Sequence, residues 1–154
     1  MNKERSFTMI KPGPVKRGAI GQIITMHEEI GLTLVSMKKI LASRPQLALH
    51  YQKPEEWYEE KGKKVIKKRL ADELPIEKTA VEYGRDIIEE VICHMMSGPI
   101  IIMIWEGENA VETILELSKD IRRDFGMDML DNGFHRSDSV DNADLEIKLW
   151  GPWF

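Results

Sequence analysis

The chain of 154 residues contains one cysteine, Cys93, so an internal disulfide framework is excluded. A lone cysteine is typical of a reducing compartment, and we expect its thiol to be buried, as free cysteines usually are. The sequence also lacks any uninterrupted apolar stretch long enough to span a membrane, and its charged start, residues 1–5, has no signal-peptide core. We therefore predict a soluble cytoplasmic protein that makes no membrane contact.

Concentrated positive charge is absent as well. The formal net charge is -4, and the 22 lysines and arginines are spread along the chain, which argues against a nucleic-acid partner. Neither G-x-x-x-x-G-K-[ST] nor G-x-G-x-x-G occurs, so any nucleotide must be held by side chains rather than by a glycine-rich cradle. Four dispersed histidines and one cysteine do not provide zinc-ligand spacing, and we predict no metal site formed by the protein itself.

What the chain does contain is enough apolar sequence, 42% of its residues, for one globular domain over residues 1–154. Residues 6–10 read as a strand, and residues 11–14, Lys-Pro-Gly-Pro, as a sharp loop that is neither helix nor strand. Isoleucines at helical spacing then predict a helix from residue 20 up to Gly31, and residues 32–37 resume an extended pattern.

The second half repeats this alternation of strand and helix. Residues 99–105 are apolar without alternation, as in a central strand, and Asn109 resembles the cap of the helix that follows. Asp138 or Ser139 can cap a last helix. We predict an α+β sandwich of the ferredoxin-like split βαβ type, a four-stranded antiparallel sheet covered by helices. Residues 53–90 are highly charged and predict a helical insertion, whose charges favour a solvated face over a binding surface.

Candidates for chemistry are few. His135 lies among short polar residues just before a helical segment that carries Glu146, and a carboxylate at that distance can fix the tautomer of an imidazole nucleophile. Lys11 follows the first strand in a proline-rich turn, where it is either a phosphate contact or an ordinary surface lysine. Arg122 and Arg123 add guanidinium groups that match phosphate oxygens. His27 and His94, both on predicted helices, are better explained as packing residues.

Several short motifs together strongly resemble those of nucleoside diphosphate kinases. The Asn132-x-x-His135-x-Ser-Asp-Ser block is the specific part, and the order and spacing of the others match over nearly the whole chain outside the insertion. Those others are Met9-Ile10-Lys11-Pro12, Arg17-Gly18, His50-Tyr51, Ser97-Gly98-Pro99, Trp105-Glu106-Gly107, Ile121-Arg122-Arg123-Asp124-Phe125 and Glu146-Ile147-x-Leu149-Trp150. The resemblance implies a ferredoxin-like core and γ-phosphate transfer between nucleotides through a phosphohistidine.

The resemblance also implies a reaction centre. His135 would be the nucleophile, and Glu146, helped by Ser137, would orient its ring. Tyr51 would lie beside the reacting phosphate. Each role suits the chemistry of its side chain, and a phosphohistidine would explain ping-pong exchange between different nucleotides.

Nucleotide binding is implied by the same likeness. Lys11 and Asn132 would contact the sugar hydroxyl and the phosphates, and Arg122 would neutralise phosphate charge. Nucleoside di- and triphosphates would be the substrates, Mg²⁺ would enter with the nucleotide, and the chain would form a homo-oligomer, a dimer or larger.

The chain departs from the family pattern in two places. Leu115 stands where the family has its second phosphate-binding arginine, and either Arg123 or Arg136 could restore the charge; we favour Arg136, which adjoins the nucleophile. The insertion replaces the family's base-stacking aromatic, so Trp57 or Tyr58 could stack on a base or could simply anchor the insertion.

Two alternatives follow. One is a catalytically weak homologue that binds nucleotides or partner proteins, which the missing arginine would suit. The other is a ferredoxin-like regulatory module that senses a small ligand, which would leave the polar block around His135 unexplained. A pure binding module would have little need for His135, Glu146, Ser137 and Lys11 together.

Overall fold

A computed structural model describes residues 3–154 of the chain. The described residues divide into two compact units: one contains residues 3–43 and 94–154, and the other is Arg44–Cys93. Each unit is considered by itself. The expectation that the chain is one domain with a charged insertion at about 53–90 stays a prediction.

The first unit is built on a four-stranded antiparallel sheet. Its strands are β1 (Lys3–Ile10), β2 (Thr33–Ile40), β3 (Ile100–Glu108) and β4 (Phe134–Arg136). They lie in the order β2-β3-β1-β4, so β2 and the very short β4 are edge strands. This arrangement confirms the predicted α+β fold of the ferredoxin-like type.

Helices of the first unit pack on both faces of this sheet. They are α1 (Pro12–Lys16), α2 (Ile20–Glu29), α6 (Ala110–Phe125) and α7 (Val140–Trp150), with a 3-10 turn at Gly151–Trp153. The helices of the second unit are α3 (Arg44–His50), α4 (Glu55–Ala71) and α5 (Ala80–Met95), which ends just inside the first unit. Among residues 3–154, no helix combines the length and apolar content needed to cross a membrane.

The core explains why β3 reads as continuously apolar. Its residues from Ile100 to Trp105 are all buried, because helices cover the sheet on both faces. On one face Trp105 packs into the main core beside Phe134. On the other face Phe7 of β1 stacks on Trp150 of α7, with ring centroids 5.8 Å apart.

One local prediction was wrong. Residues 11–14 were expected to form a loop, but Pro12 begins the five-residue helix α1. Proline is favourable in the first turn of a helix, because the amide hydrogens of that turn have no intrahelical partner and the fixed φ of proline suits a helix. The two prolines therefore start a helix here instead of preventing one.

Helices α6 and α7 begin at the positions predicted from the sequence. Ser139 is the N-cap of α7, and its hydroxyl accepts a hydrogen bond from the Asn142 amide at 3.1 Å. Asn109 precedes α6 but makes no side-chain capping bond; the Glu4 carboxylate from β1 accepts the Val111 N–H instead, at 3.3 Å. The cap of α6 is therefore supplied by a distant part of the chain.

The second unit is helical, as its charge pattern predicts. Lys63 pairs with Glu59 at 3.3 Å, one helical turn apart on an exposed face of α4.

The expectation of a buried Cys93 was wrong. Its side chain is exposed and its sulfur accepts a hydrogen bond from Arg44 at 3.6 Å, because Cys93 does not share the buried side of α5.

Candidate active site

The site in the first unit centres on His135, in the middle of edge strand β4. Its Nε2 lies 2.9 Å from Oε2 of Glu146 on α7, and the Ser137 hydroxyl donates to the same carboxylate oxygen at 3.0 Å. The backbone amide of Ser137 donates to the Phe7 carbonyl at 3.0 Å, so the segment between β4 and α7 is held against β1. The predicted trio of His135, Glu146 and Ser137 is therefore brought together.

This geometry sets the protonation pattern of the imidazole. An ionised carboxylate can only accept hydrogen bonds, so Nε2 of His135 carries the proton that points to Glu146. In the neutral ring the lone pair is then on Nδ1. The ring is mostly buried, with 19% of the side chain exposed, and tilts against Phe7 at a centroid distance of 6.2 Å. The contacts with Glu146 and Phe7 thus hold the imidazole ring of His135 in one orientation.

Lys11 follows β1 directly, and its side chain is almost fully buried. Its backbone N–H donates to the Gly133 carbonyl at 2.9 Å, which joins the end of β1 to the segment before β4. The pKa of Lys11 is lowered to about 8, chiefly by burial and also by the positive charge of Arg122, while Asp131 acts in the opposite direction. An ordinary surface lysine would be exposed to water, whereas only 6% of Lys11 is exposed, so that alternative does not hold.

Gly133 shapes the turn between Asn132 and His135. Its φ of +87° is strained for residues with a side chain, and an added Cβ would lie 2.9 Å from Cγ of Pro14. Within the turn, the Asn132 side-chain oxygen accepts the Phe134 N–H at 3.4 Å. The backbone at Gly133 therefore allows α1 and β4 to meet at the site.

Arg122 lies in the last turn of α6, and its guanidinium is directed to the sheet. Its Nε and Nη2 donate to the Phe134 carbonyl at 3.2 and 3.0 Å. A cavity of about 450 Å³ adjoins it. That cavity is lined by Arg122, Gly126, Met127, Asp128, Met129 and Asn132. Two of the predicted phosphate-binding residues therefore border one open space.

The two arginines suggested as replacements for a missing charge differ in their surroundings. Arg123 points into solvent, with 68% of its side chain exposed, and pairs with Asp120 and Asp124. Arg136 is half-buried, and its Nε lies 3.4 Å from the Ser118 hydroxyl. Side chains alternate along a strand, so Arg136 leaves β4 on the α6 face, opposite to His135. The contacts favour Arg136, and both roles stay predictions.

Leu115 and Ser118 are close on α6, and the Ser118 hydroxyl donates to the Leu115 carbonyl at 2.6 Å. Arg122 follows Ser118 by one further turn on the same side of the helix. The guanidinium of Arg136 therefore contacts α6 between Leu115, where the resemblance predicts an arginine, and Arg122.

Asp131 was not recognised from the sequence. Its carboxylate accepts a hydrogen bond from Arg17 at 3.2 Å and lies 3.6 Å from Nε2 of His94. The only signal in the sequence was its position beside Asn132 in the most specific motif, because its partners come from distant parts of the chain. His94, expected to be a packing residue, is mostly buried and lies beside this carboxylate.

Tyr51 and Trp57 belong to the second unit, so their roles toward a nucleotide stay predictions. Trp57 is partly exposed, and its ring has the ammonium groups of Lys53 and Lys61 5.8 and 5.6 Å from its centroid. Tyr58 is buried, and its hydroxyl accepts the backbone N–H of Lys53 at 3.3 Å. Of the two aromatics, Tyr58 is therefore buried and Trp57 is the one that is partly exposed.

Taken together, the first unit offers an oriented imidazole with cations and an amide close to it in the fold. Imidazole nitrogen is a nucleophile for phosphorus, and guanidinium and ammonium groups stabilise charge on phosphoryl oxygens.

His27, in the core, has different surroundings. Its ring stacks on Trp105 with centroids 4.5 Å apart, Nδ1 donates to the Ile23 carbonyl, and the residue is fully buried. His27 is a packing residue, as predicted.

Comparisons with known proteins agree with this chemistry. A family model described as "Nucleoside diphosphate kinase" matches residues 4–70 and 56–152. A protein of that name from Pyrobaculum aerophilum is 33% identical over 177 residues, covering 97% of this chain and 96% of its own length. Another from Aspergillus fumigatus is 36% identical over 160 residues, with coverages of 97% and 86%. The crystal structure of an NDP kinase from Pyrobaculum aerophilum superposes with a TM-score of 0.83 at 29% identity, covering 97% of this chain and 96% of that one.

Proposed function

The chain belongs to the nucleoside diphosphate kinase family, and on that premise we propose that it transfers the γ-phosphate of a nucleoside triphosphate to a nucleoside diphosphate through phospho-His135. The observation that carries the proposal is the contact between His135 Nε2 and Glu146, which leaves the lone pair on Nδ1.

The reaction proceeds in two displacements. Nδ1 of His135 attacks the γ-phosphorus; the N–P bond forms while the bond from phosphorus to the β-γ bridging oxygen breaks, and the diphosphate leaves with the electron pair. A terminal phosphate oxygen of a second diphosphate then attacks the same phosphorus, and the N–P bond breaks. Glu146 holds the Nε2 proton throughout, which stabilises the ring as its other nitrogen gains and loses a substituent.

The cations bind the phosphates. Lys11 and Arg122 supply positive charge, and the side chain of Asn132 supplies hydrogen bonds beside the cavity that it shares with Arg122. Mg²⁺ prefers oxygen ligands, whereas these side chains are two cations and an amide. The residues therefore fit an ion that the nucleotide carries in on its own phosphate oxygens, where it would neutralise phosphate charge.

Further roles extend from the resemblance. Tyr51 lies beside the reacting phosphate, the partly exposed ring of Trp57 stacks on the base, and Arg136 or, less favoured by its contacts, Arg123 supplies the additional charge. The lysines around Trp57 support its role, because they place positive charge next to an aromatic surface.

We also propose that the protein acts in the cytoplasm as a homo-oligomer, a dimer or larger. Edge strand β2 supports assembly, because the apolar side chains Val35 and Met37 are 40% and 46% exposed on it. Light scattering during size-exclusion chromatography would measure the number of subunits, and a monomer at micromolar concentration would contradict this part of the proposal.

The central experiment follows the phosphoryl group. The wild-type protein incubated with [γ-³²P]ATP and Mg²⁺ should acquire an alkali-stable, acid-labile label, and unlabelled GDP should then remove it as labelled GTP. His135→Ala should not become labelled, whereas the matched variant His94→Gln should. A wild-type protein that exchanges phosphate without becoming labelled would overturn the phosphohistidine mechanism.

The same experiment distinguishes the proposed enzyme from the alternative of a catalytically weak homologue. Such a protein would bind nucleotide with an affinity that calorimetry can measure, yet would show neither labelling nor exchange. Leu115 in place of an arginine keeps this alternative open. The preserved contact of His135 with Glu146 and Ser137 argues against it, because binding alone does not require an oriented imidazole.

A further inference from the structure

A mostly buried carboxylate lies beside the phosphate-binding cations. Asp131 has 19% of its side chain exposed, and Oδ2 accepts a hydrogen bond from Nη1 of Arg17 at 3.2 Å. Its Oδ1 lies 3.6 Å from Nε2 of His94 and has no hydrogen-bond partner among residues 3–154. An acidic group near cations that bind phosphates would repel the ligand, so its presence requires an explanation.

Gly13 makes room for this carboxylate. A Cβ on Gly13 would lie 2.4 and 2.6 Å from the two oxygens of Asp131, far inside contact distance. The carboxylate therefore rests directly on the second residue of α1, two positions after Lys11. Because Lys11 donates its backbone N–H to Gly133, the segments 11–13 and 131–133 are held side by side.

The electrostatic environment of Lys11 explains why a carboxylate belongs there. Desolvation lowers the pKa of Lys11, and the guanidinium of Arg122 on α6 lowers it further. Asp131, on the connection between α6 and β4, opposes both effects. Arg17 pairs with Asp131 and partly offsets its negative charge, which limits its repulsion of a phosphate.

We propose that Asp131 is a positioning residue for Lys11: seated on Gly13 and held by Arg17, its carboxylate keeps the neighbouring ammonium protonated and ready to bind phosphate. This inference rests on the proposed function, because it assigns Lys11 to the phosphates. It accounts for the acid at the site, for the missing side chain at position 13 and for the ion pair with Arg17.

A purely structural role is the competing explanation. The Asp131 carbonyl accepts the Met127 N–H at 2.7 Å, so the residue also closes the loop before β4. Asp128 is a matched control for this role. It is an acid in the same loop, and its carboxylate accepts the N–H groups of Leu130 and Asp131. Replacing Asp128 loosens the loop without removing the charge beside Lys11.

The test measures the titration of Lys11 in the nucleotide-free protein. Lysine labelled with ¹³C at Cε gives one NMR signal per lysine, and the Lys11 signal is the one lost in Lys11→Arg. In Asp131→Asn we expect Lys11 to lose its proton at lower pH than in the wild type, with a proton affinity about threefold or more weaker. In Asp128→Asn the Lys11 titration should match the wild type.

Gly13→Ala provides a second variant should Asp131→Asn fail to fold, because the added methyl group displaces the carboxylate and should shift Lys11 in the same direction. An unchanged or higher titration midpoint in Asp131→Asn, or in Gly13→Ala if it alone is folded, would overturn the inference. The NMR result does not depend on activity, so a shift in a protein that never becomes phosphorylated would contradict the proposed function and leave the electrostatic role of Asp131 intact.

Discussion

Oε2 of Glu146 lies 2.9 Å from Nε2 of His135, a contact between two residues eleven positions apart in the chain. Ser139 starts α7 soon after β4 ends, and Glu146 is then two turns along the helix, on the side that faces the sheet. The short connection therefore brings the carboxylate back over the imidazole. The consequence is chemical, because the proton on one nitrogen determines which nitrogen can attack phosphorus.

Glu146→Gln should slow the formation of the phosphohistidine by about 100-fold, because an amide cannot balance the positive charge that the ring gains as Nδ1 forms its bond. Ser137→Ala should have a smaller effect, since the carboxylate keeps its bond to His135. Rapid-quench measurement of ³²P incorporation in a single turnover would give both rates. Labelling of Glu146→Gln at the wild-type rate would remove Glu146 from the mechanism.

The sequence predicted this part of the site because its signals are local. A histidine among short polar residues, a serine cap and a carboxylate two turns into a helix all lie within residues 132–146. Lys11 could be predicted for a similar reason, since it follows a clear strand. The antiparallel sheet then follows from strand and helix alternation together with the family resemblance.

The remainder depends on contacts between distant segments. The surroundings of Asp131 are formed by Gly13, Arg17 and His94, and no local sequence pattern connects those positions. Whether Arg123 or Arg136 faces solvent depends on how α6 packs on β4, which neither motif reveals. The exposed Cys93 follows from its helix face, whereas its residue type favours burial.

Activity should fall at alkaline pH because Lys11 loses its charge. Its pKa is lowered to about 8, chiefly by desolvation, so the ammonium form that binds phosphate predominates below that pH and is lost above it. We expect kcat/KM to decrease about tenfold per pH unit above about pH 8, since this ratio reports ionisations of the free enzyme. A Lys11→Arg variant that retains activity should lack this limb. A wild-type profile that stays flat to about pH 10 would contradict the assignment.

Arg136→Ala should weaken nucleotide binding and lower turnover, together about tenfold in kcat/KM, if its guanidinium replaces the charge absent at Leu115. Arg123→Ala is the competing variant, and we expect a smaller effect because Asp120 and Asp124 already pair with that arginine. Steady-state kinetics with ATP and a diphosphate acceptor would separate them. Equal kinetics of Arg136→Ala and the wild type would exclude compensation by Arg136.

Stability at acidic pH should depend on His27. Burial lowers its pKa from 6.5 to about 4, so the unfolded chain binds the proton more tightly than the folded one. The free energy of unfolding should therefore fall as the pH decreases from about 6.5 to 4, with a contribution from this residue of about 3 kcal/mol. Urea unfolding at both ends of that range should show a smaller loss in His27→Phe. An equal loss in both proteins would show that other groups cause acid destabilisation.

Lys11 should also carry a cost in stability, since it is a nearly buried cation whose pKa falls from 10.5 to about 8. The folded state disfavours the charged form, so the cost is fully present below pH 8 and disappears as the pH rises to about 10.5. Lys11→Met keeps most of the aliphatic volume without the charge, and we expect its free energy of unfolding at neutral pH to exceed the wild-type value by about 1–3 kcal/mol. That gain should shrink at about pH 10, and phosphate transfer should be strongly reduced. Urea unfolding at the two pH values checks the first part and kinetics the second. If Lys11→Met were less stable than the wild type at neutral pH, the ammonium group would stabilise the fold. Burying this charge near Arg122 would then cost no free energy of unfolding.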